Sequence, residues 1–476
     1  MMKRTKIVAT IGPASESKEK LREMVLAGMN VVRLNFSHGE HSWHGEIINR
    51  VREVSEELGS PIAILADIQG PRIRTRVEEA FRVTKGDHVF VGDIADEASF
   101  PRTLGHKFLL DQPGIVDDIE VDHMVLVEDG TIQFVVVKKE ENLLELEALN
   151  DGEVKNKKGV NLPDSPIHLP VITEKDAKDI RFVTEQGVDY IGLSFVGCAD
   201  DIRQARTLIA ETGISEHLYP RIVAKIERKE ALKNLESVIK EADAVMVARG
   251  DLGIELPATK VTILQKEIIA MSLALVRPVI VATQMLKSMT ENPRPTRAEV
   301  SDVTNAVIDH ADAVMLSEES AMGKYPVEAI RTMAEIIMHT EASPFDDVYK
   351  AIGMNLRSEY ATMVRSVYEL AKSYDAHTIL LLSESGFTAR LMSHFRPDSN
   401  LFVATNNRRT WNRTALMWGV VAYLFEEYKN LDGIMDKLMA KLLGDGEVKK
   451  GDRAVLCLGR HSKSDQLQLV GVKEIE

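Results

Sequence analysis

The chain predicts a (β/α)8 barrel of the TIM type that carries an inserted β-rich domain and is followed by a C-terminal α/β domain. Two observations carry this reading. Eight short apolar runs, KIVATI, NVVRLNF, PIAILADI, VDYIGLSF, RIVAKIE, DAVMVAR, RPVIVAT and DAVMLS, alternate with longer amphipathic segments such as KEKLREMVLAG, KDAKDIRFVTEQG, KEALKNLESVIKEA and AEVSDVTNAVIDH. The runs read as parallel strands. The longer segments carry apolar residues at helical spacing and end near glycine or a charged residue, so they read as helices, and eight βα units close into a barrel. The second observation is an interruption. After PIAILADI the next helical pattern waits until Thr173, and the segments between, HVFVGD, MVLVEDG and IQFVVV, alternate with the period of a strand. That insertion leaves by the C-terminal end of the third strand, the face on which barrel active sites are built, so it is placed to close over a site. From about Ser343 a second α/β series follows: helix YATMVRSVYELAKSY, strand TILLLS, helix FTARLMSHF, strand LFVAT, helix RTWNRTALMWG, then VVAYLF and AVLCLG. The expected domains are 1–70 with 167–343 for the barrel, 71–166 for the lid and 344–476 for the C-terminal unit.

Composition bounds the function. At 476 residues and 44% hydrophobic content the chain buries several cores. A formal charge of −14, with no basic tail, repels nucleic acid and acidic membrane surfaces, and neither is expected as a partner. No apolar run approaches membrane-spanning length and no charged n-region opens the sequence, so the expected location is the cytoplasm. Cys198 and Cys457 form no metal-ligand or CxxC spacing and read as packing residues. An anionic substrate would need a local basic cluster, because the global field opposes its approach.

The strand ends supply one. Arg33, Asn35 and Ser37 share a face of the second strand by the period-two rule, and Ser37-His38-Gly39 suits a phosphate-binding turn. Asp67 closes the third strand, Lys225 and Glu227 the fifth, Arg249-Gly250-Asp251 the sixth and Thr283 the seventh. Glu227 and Asp251 could share a hard divalent cation, which prefers carboxylate oxygens and keeps water or substrate ligands. Lys225 would be a second positive charge beside it, and Gly250 would let backbone N–H groups approach a ligand. Each piece alone has a plainer explanation: Lys-x-Glu is more often an internal ion pair, Arg-Gly-Asp a turn, Thr283 a satisfied barrel hydroxyl. Their convergence at one end of different strands favours a site.

At these residues the chain resembles the pyruvate kinase family. The segments are TKIVATIGPAS, GMNVVRLNFSHG, KKGVNLP, AKIER, VMVARGDLGIE, VIVATQMLKSM and NPRPTRAEVSDVTNAV, in family order over residues 4–330. The resemblance implies phosphoryl transfer from phosphoenolpyruvate to ADP, giving ATP and pyruvate in the last step of glycolysis. It implies that Arg33 holds the substrate phosphate, Lys225 neutralises the transferring group and the enolate, Glu227 and Asp251 hold magnesium or manganese, and Gly250 and Asp251 contact phosphoenolpyruvate. Thr283 then positions a proton donor, water. Asn35, Ser37, His38, Arg74 and Lys158 look like nucleotide-side residues, although Lys155, Lys157 and Lys158 also read as a solvated turn. The chemistry agrees: like charges about 4 Å apart repel by roughly 4 kcal/mol at an effective dielectric near 20, so cations must dominate where two such anions meet.

Two departures from the family pattern are informative. Potassium-requiring members have Thr after the strand-three Asp and Glu four residues beyond that Thr; here Ile68 and Arg72 stand there. Arg72 is expected to replace the alkali cation, leaving Asn35, Ser37 and Asp67 as a remnant of its site and potassium not required. In the C-terminal unit Ser383-Glu384-Ser385-Gly386-Phe387-Thr388 resembles the family's phosphate loop, with Arg390 following. Glu384 adds repulsion there, and the terminal GRHSKSDQLQLVG is shorter and chemically unlike the loop of sugar-bisphosphate-regulated members. Ser383, Ser385, Gly386 and Thr388 are therefore read either as a phosphorylated-effector site or as an ordinary helix cap. The family is commonly homotetrameric. Two other functions stay open on the residues alone: a metal-dependent lyase acting on a pyruvate-like enolate, and a non-catalytic sensor of a phosphorylated metabolite.

Overall fold

A computed structural model describes residues 3–96, 105–165, 169–346, 359–425, 431–458 and 469–476. The eight apolar runs form parallel strands Lys6–Thr10, Val31–Asn35, Ala63–Asp67, Tyr190–Leu193, Arg221–Ile226, Ala244–Ala248, Val279–Ala282 and Ala313–Leu316. Each pairs with the next and the eighth closes on the first. Their near-continuous Val, Ile, Leu and Ala content follows from burial on both faces, the helices outside and the barrel core inside. Some helices start where side chains satisfy the free N–H groups of the first turn. Thr173 and Asp176 form a reciprocal capping pair at Glu174–Glu185, and Thr296 and Glu299 do the same at Arg297–Ile308.

Register sets the functional mouth. Thr10 lies opposite Arg33, Asn35 opposite Asp67, Asp67 opposite Gly192, Lys225 opposite Met246, and Ala248 opposite Ala282. The polar strand ends are therefore level with one another. Gly70, at φ 70°, makes the turn by which the chain leaves the third strand, and a Cβ there would lie 2.7 Å from the Phe195 ring.

The insertion is a second closed barrel of seven strands, with a two-stranded ribbon, Phe81–Val83 against Gly152–Val154, beside it. It has its own core, built around Val89, Phe108, Phe134, Leu144 and Leu146. Its expected return to the first barrel, at 166–167, lies outside the described residues. Beyond the first barrel, a five-stranded sheet runs in the order Val420–Leu424, Asn400–Thr405, Thr378–Leu382, Arg453–Leu458, Leu469–Glu474, the last strand antiparallel. That last strand and the helix Leu431–Gly444 were not anticipated. The helix had a signal, since Ile434, Leu438 and Leu442 recur every four residues and are buried. The strand had none: it is an edge with no buried residue.

The C-terminal unit packs on the N-terminal end of the barrel. Ala415 and Leu416 join the inward-facing barrel residues Val8, Leu65, Met246, Ala282 and Met315 in one cluster. Around this plug, Tyr190 Oη donates to Arg413 O at 3.0 Å and Lys6 Nζ to Val420 O at 2.8 Å. The barrel interior is thus one packed column, plugged at one end and polar at the other.

Candidate active site

Lys225 is the centre of the polar end. Its Nζ lies 2.8 Å from Glu227 Oε1 and 3.0 Å from Asp67 Oδ1, and it donates to Ser194 Oγ at 2.7 Å. Ser194 passes the bond on, donating to Ile68 O at 2.6 Å. Arg33 meets the other side of the same carboxylate, Nε to Asp67 Oδ2 at 2.7 Å, and Nη1 donates to Thr10 Oγ1 at 2.9 Å. Two cations therefore share the fully buried Asp67. Burial opposes its charge, but Lys225 and Arg33 outweigh burial and hold Asp67 below the usual aspartate range. Burial likewise opposes the Lys225 charge, and Asp67, Glu227 and Asp251 together reverse that, holding the ammonium above the ordinary lysine value.

Glu227 behaves differently. Burial, with Asp251 adding like-charge repulsion, pushes its carboxyl above the ordinary glutamate value against the pull of Lys225. Its Oε2 accepts from Phe195 N at 2.7 Å, and Phe195 sits at φ 57°, a conformation unusual outside glycine. Glu227 is 1% exposed, so it forms the wall behind the cavity rather than its lining. Asp251 faces the open space. Arg249-Gly250-Asp251, expected to close the sixth strand, instead follow it and open the helix Arg249–Glu255, so the plainer alternative of a turn does not hold either. Gly250 N is not free for a ligand either, because it donates to Thr283 Oγ1 at 2.9 Å.

A cleft occupies the mouth. Arg33, Asn35, Ser37, Asp67, Lys225, Asp251 and Thr283 line it, together with Ile68 and Arg72. A second cleft runs between lid and barrel and shares Arg72 and Asp251 with the first. Three nucleotide-side candidates fall outside both linings. His38 is exposed, and its carbonyl accepts from His44 Nε2 at 2.9 Å. Arg74 lies on the lid strand Ile73–Arg76, its backbone N–H held by Asp111 Oδ1 at 2.7 Å. Lys158 is paired with Glu128 across the lid. Of the three, Lys158 has its side chain engaged by a carboxylate on the lid itself.

Gln69, Ser194 and Ser317 also line the mouth and were missed. Gln69 and Ser317 lie just past the ends of the third and eighth strands, so the strand-end rule could have found them; Ser194 follows the fourth strand in the same way.

The pair Glu227 and Asp251 fits a divalent cation. Like-charge repulsion between them is one cause of the raised Glu227 carboxyl, and a dication would relieve it. Among the described residues no group of three or more His, Cys, Asp or Glu converges, so the remaining ligands would be water or substrate, as suits magnesium.

In the C-terminal unit, Ser383 and Thr388 are buried, Ser385 is exposed and Gly386 caps the helix Phe387–His394 at φ 80°. The loop is tied down by Thr410 Oγ1, which donates to Glu384 O at 2.7 Å. Arg390 stacks on the Phe387 ring at 5.5 Å, and its charged neighbours are the barrel residues Arg277, Asp243 and Arg221. The terminal loop that would complete an effector site falls largely outside the described residues, at 459–468.

Residues 2–330 match the family model described as pyruvate kinase, barrel domain, and residues 361–470 that described as pyruvate kinase, alpha/beta domain. The chain is 40% identical to the pyruvate kinase of Bacillus licheniformis over 99% of this chain and 80% of that one. It is 41% identical to that of Geobacillus stearothermophilus over 96% and 78%. The crystal structure of a pyruvate kinase from Cryptosporidium parvum superposes with a TM-score of 0.92 at 30% identity, covering 100% of this chain and 96% of that one.

Proposed function

The chain belongs to the pyruvate kinase family and moves the phosphoryl group of phosphoenolpyruvate to ADP, giving ATP and pyruvate, and on that premise we propose how its own residues divide the reaction. The observation that carries the proposal is the Lys225 ammonium, kept charged by three carboxylates at the floor of a cavity that Arg33 and Asp251 also line. Arg33 binds the substrate phosphate. Its planar fork spans phosphate oxygens as it spans Asp67 and Thr10 here. Magnesium or manganese held by Glu227 and Asp251 would supply charge neutralisation at the phosphoryl oxygens. As the phosphorus–oxygen bond to the enolate breaks and the terminal oxygen of ADP takes the phosphoryl group, Lys225 meets the charge left on the enolate oxygen. Thr283 positions the water that then protonates the terminal carbon, and the enolate closes to the ketone of pyruvate.

Asn35, Ser37, His38, Arg74 and Lys158 are assigned to the nucleotide side. For Lys158 this requires exchange of Glu128 for a phosphate, which would couple the lid to ADP. Arg72 stands at the junction of the two cavities, and among the described residues it has no carboxylate partner within ion-pair distance, which supports its role in place of potassium. Ser383, Ser385, Gly386 and Thr388 are kept as the candidate effector loop, and a cytoplasmic homotetramer as the working form. Formation of ATP from phosphoenolpyruvate and ADP, dependent on a divalent cation and lost in Asp251→Asn, tests the assignment. A pyruvate-like product without ATP would favour a lyase instead.

A further inference from the structure

We infer that Arg249 is a positioning residue for the proton-transfer half of the reaction, holding Thr283 in a backbone conformation that threonine rarely adopts unaided. The inference rests on the role given to Thr283 above. Thr283 follows the seventh barrel strand at φ 72°, and Gln284 continues at φ 54°. Left-handed backbone crowds a branched Cβ against the following carbonyl, so such a residue persists only where its surroundings over-determine it.

Here the surroundings are two consecutive residues of the neighbouring βα unit. Arg249 Nη2 donates to Thr283 O at 2.6 Å and Nε to Ala282 O at 3.2 Å, while Gly250 N donates to Thr283 Oγ1 at 2.9 Å. One side chain fixes the carbonyl of the threonine, and the next amide fixes its hydroxyl. Because Thr283 Oγ1 accepts the Gly250 N–H, its own proton is left to donate toward the cavity, where it orients the water that protonates the enolate.

The clamp is itself anchored. Arg249 Nη1 donates to Asp302 Oδ1 at 2.7 Å, on the helix Arg297–Ile308, and more weakly to Gln265 Oε1 at 3.4 Å, on the helix Ala258–Ala274. The Arg249 side chain is 14% exposed and does not line the catalytic cavity, although the two residues on either side of the clamp, Asp251 and Thr283, do. Its fixed fork spans two successive carbonyls and a carboxylate, which the point charge of lysine cannot do at once.

The test separates proton transfer from substrate binding, using the full chain with magnesium and ATP. Exchange of the pyruvate methyl hydrogens with deuterated solvent is followed by NMR, and steady-state kinetics of ATP formation are measured in parallel. Arg249→Met is expected to slow exchange about 100-fold, the scale of a lost acid–base arrangement, with the KM for phosphoenolpyruvate nearly unchanged. Arg249→Lys should recover part of the loss. Asp302→Asn keeps the guanidinium but loosens its anchor, so it should show a smaller loss of the same kind, and it carries the test if Arg249→Met does not fold. Exchange at the wild-type rate in both Arg249→Met and Asp302→Asn overturns the inference, as does a parallel rise in KM for phosphoenolpyruvate that accounts for the whole loss. Thr283→Val serves as the reference: wild-type exchange in that variant would instead overturn the role of Thr283 itself.

Discussion

Lys225 on the fifth barrel strand and Glu227 just past its end stand two residues apart and form an ion pair of 2.8 Å, with Asp251 repelling the glutamate and attracting the lysine. The plain explanation of Lys-x-Glu, an internal ion pair, and the catalytic one are therefore both present in the same geometry. The setting of the pair supports the proposed catalytic role: Lys225 lines a cleft that Arg33, Asp251 and Thr283 also line. A dication arriving between Glu227 and Asp251 would take over the Glu227 carboxylate and turn the Lys225 charge toward substrate.

That exchange predicts proton release on metal binding. The Glu227 carboxyl is raised above its ordinary value, so it picks up a proton as pH falls through that raised value, and the proton competes with the cation. Magnesium affinity should fall with decreasing pH over the mildly acid range, and calorimetric titration in buffers of different ionisation enthalpy should register protons released. In Glu227→Gln the proton release should disappear along with most of the affinity.

Potassium should have little effect. Turnover measured with magnesium in tetramethylammonium salts is expected to be unchanged on adding potassium, if Arg72, which lines both clefts, supplies the monovalent charge as proposed. The double variant Ile68→Thr/Arg72→Glu should become potassium-activated. Strong activation of the unaltered chain would contradict this.

His394 should make the C-terminal unit acid-sensitive. Burial, together with the neighbouring Arg396, Arg390 and Arg277, holds its imidazole well below the ordinary histidine value. The unfolded chain takes up a proton near pH 6.5 that the folded chain refuses, so stability is full above that pH and falls below it, by up to about 1.4 kcal/mol per pH unit. Hydrogen exchange over the helix Phe387–His394, corrected for intrinsic rates, should accelerate up to about tenfold between pH 6 and pH 5 on this account, and His394→Gln should remove that dependence.

Leu416 plugs the barrel end opposite the site and is 1% exposed. Leu416→Ala should destabilise the chain by about 2–5 kcal/mol through the cavity it leaves, measured by denaturant unfolding. Met246, Ala282 and Met315 belong both to the plug cluster and to the cavity floor. A rise in the KM for phosphoenolpyruvate in the same variant would show that the column transmits packing changes to the site.

Much of this architecture was legible in the sequence because periodicity reports burial. The eight strands are apolar over most of their length, and their polar ends fall level because parallel pairing fixes the register of neighbours such as Asn35 and Asp67. Side-chain partners were not legible. That Arg33 and Lys225 share Asp67, that Lys158 pairs with Glu128, and that Thr283 takes a left-handed backbone depend on contacts between elements distant in sequence. The strand Leu469–Glu474 was invisible for another reason, since an edge without a buried residue carries no alternation to read. Arg390, which follows the phosphate-loop motif, has its charged neighbours on the barrel, another contact between elements distant in sequence.

The central claim is that the Lys225 ammonium stabilises the phosphoryl transfer, and Lys225→Met tests it most directly. Purified, folded Lys225→Met should lose ATP formation from phosphoenolpyruvate and ADP by at least about a thousandfold, as expected when a principal electrostatic group is removed, with the fold unchanged by circular dichroism. Turnover close to that of the unaltered chain would contradict the account.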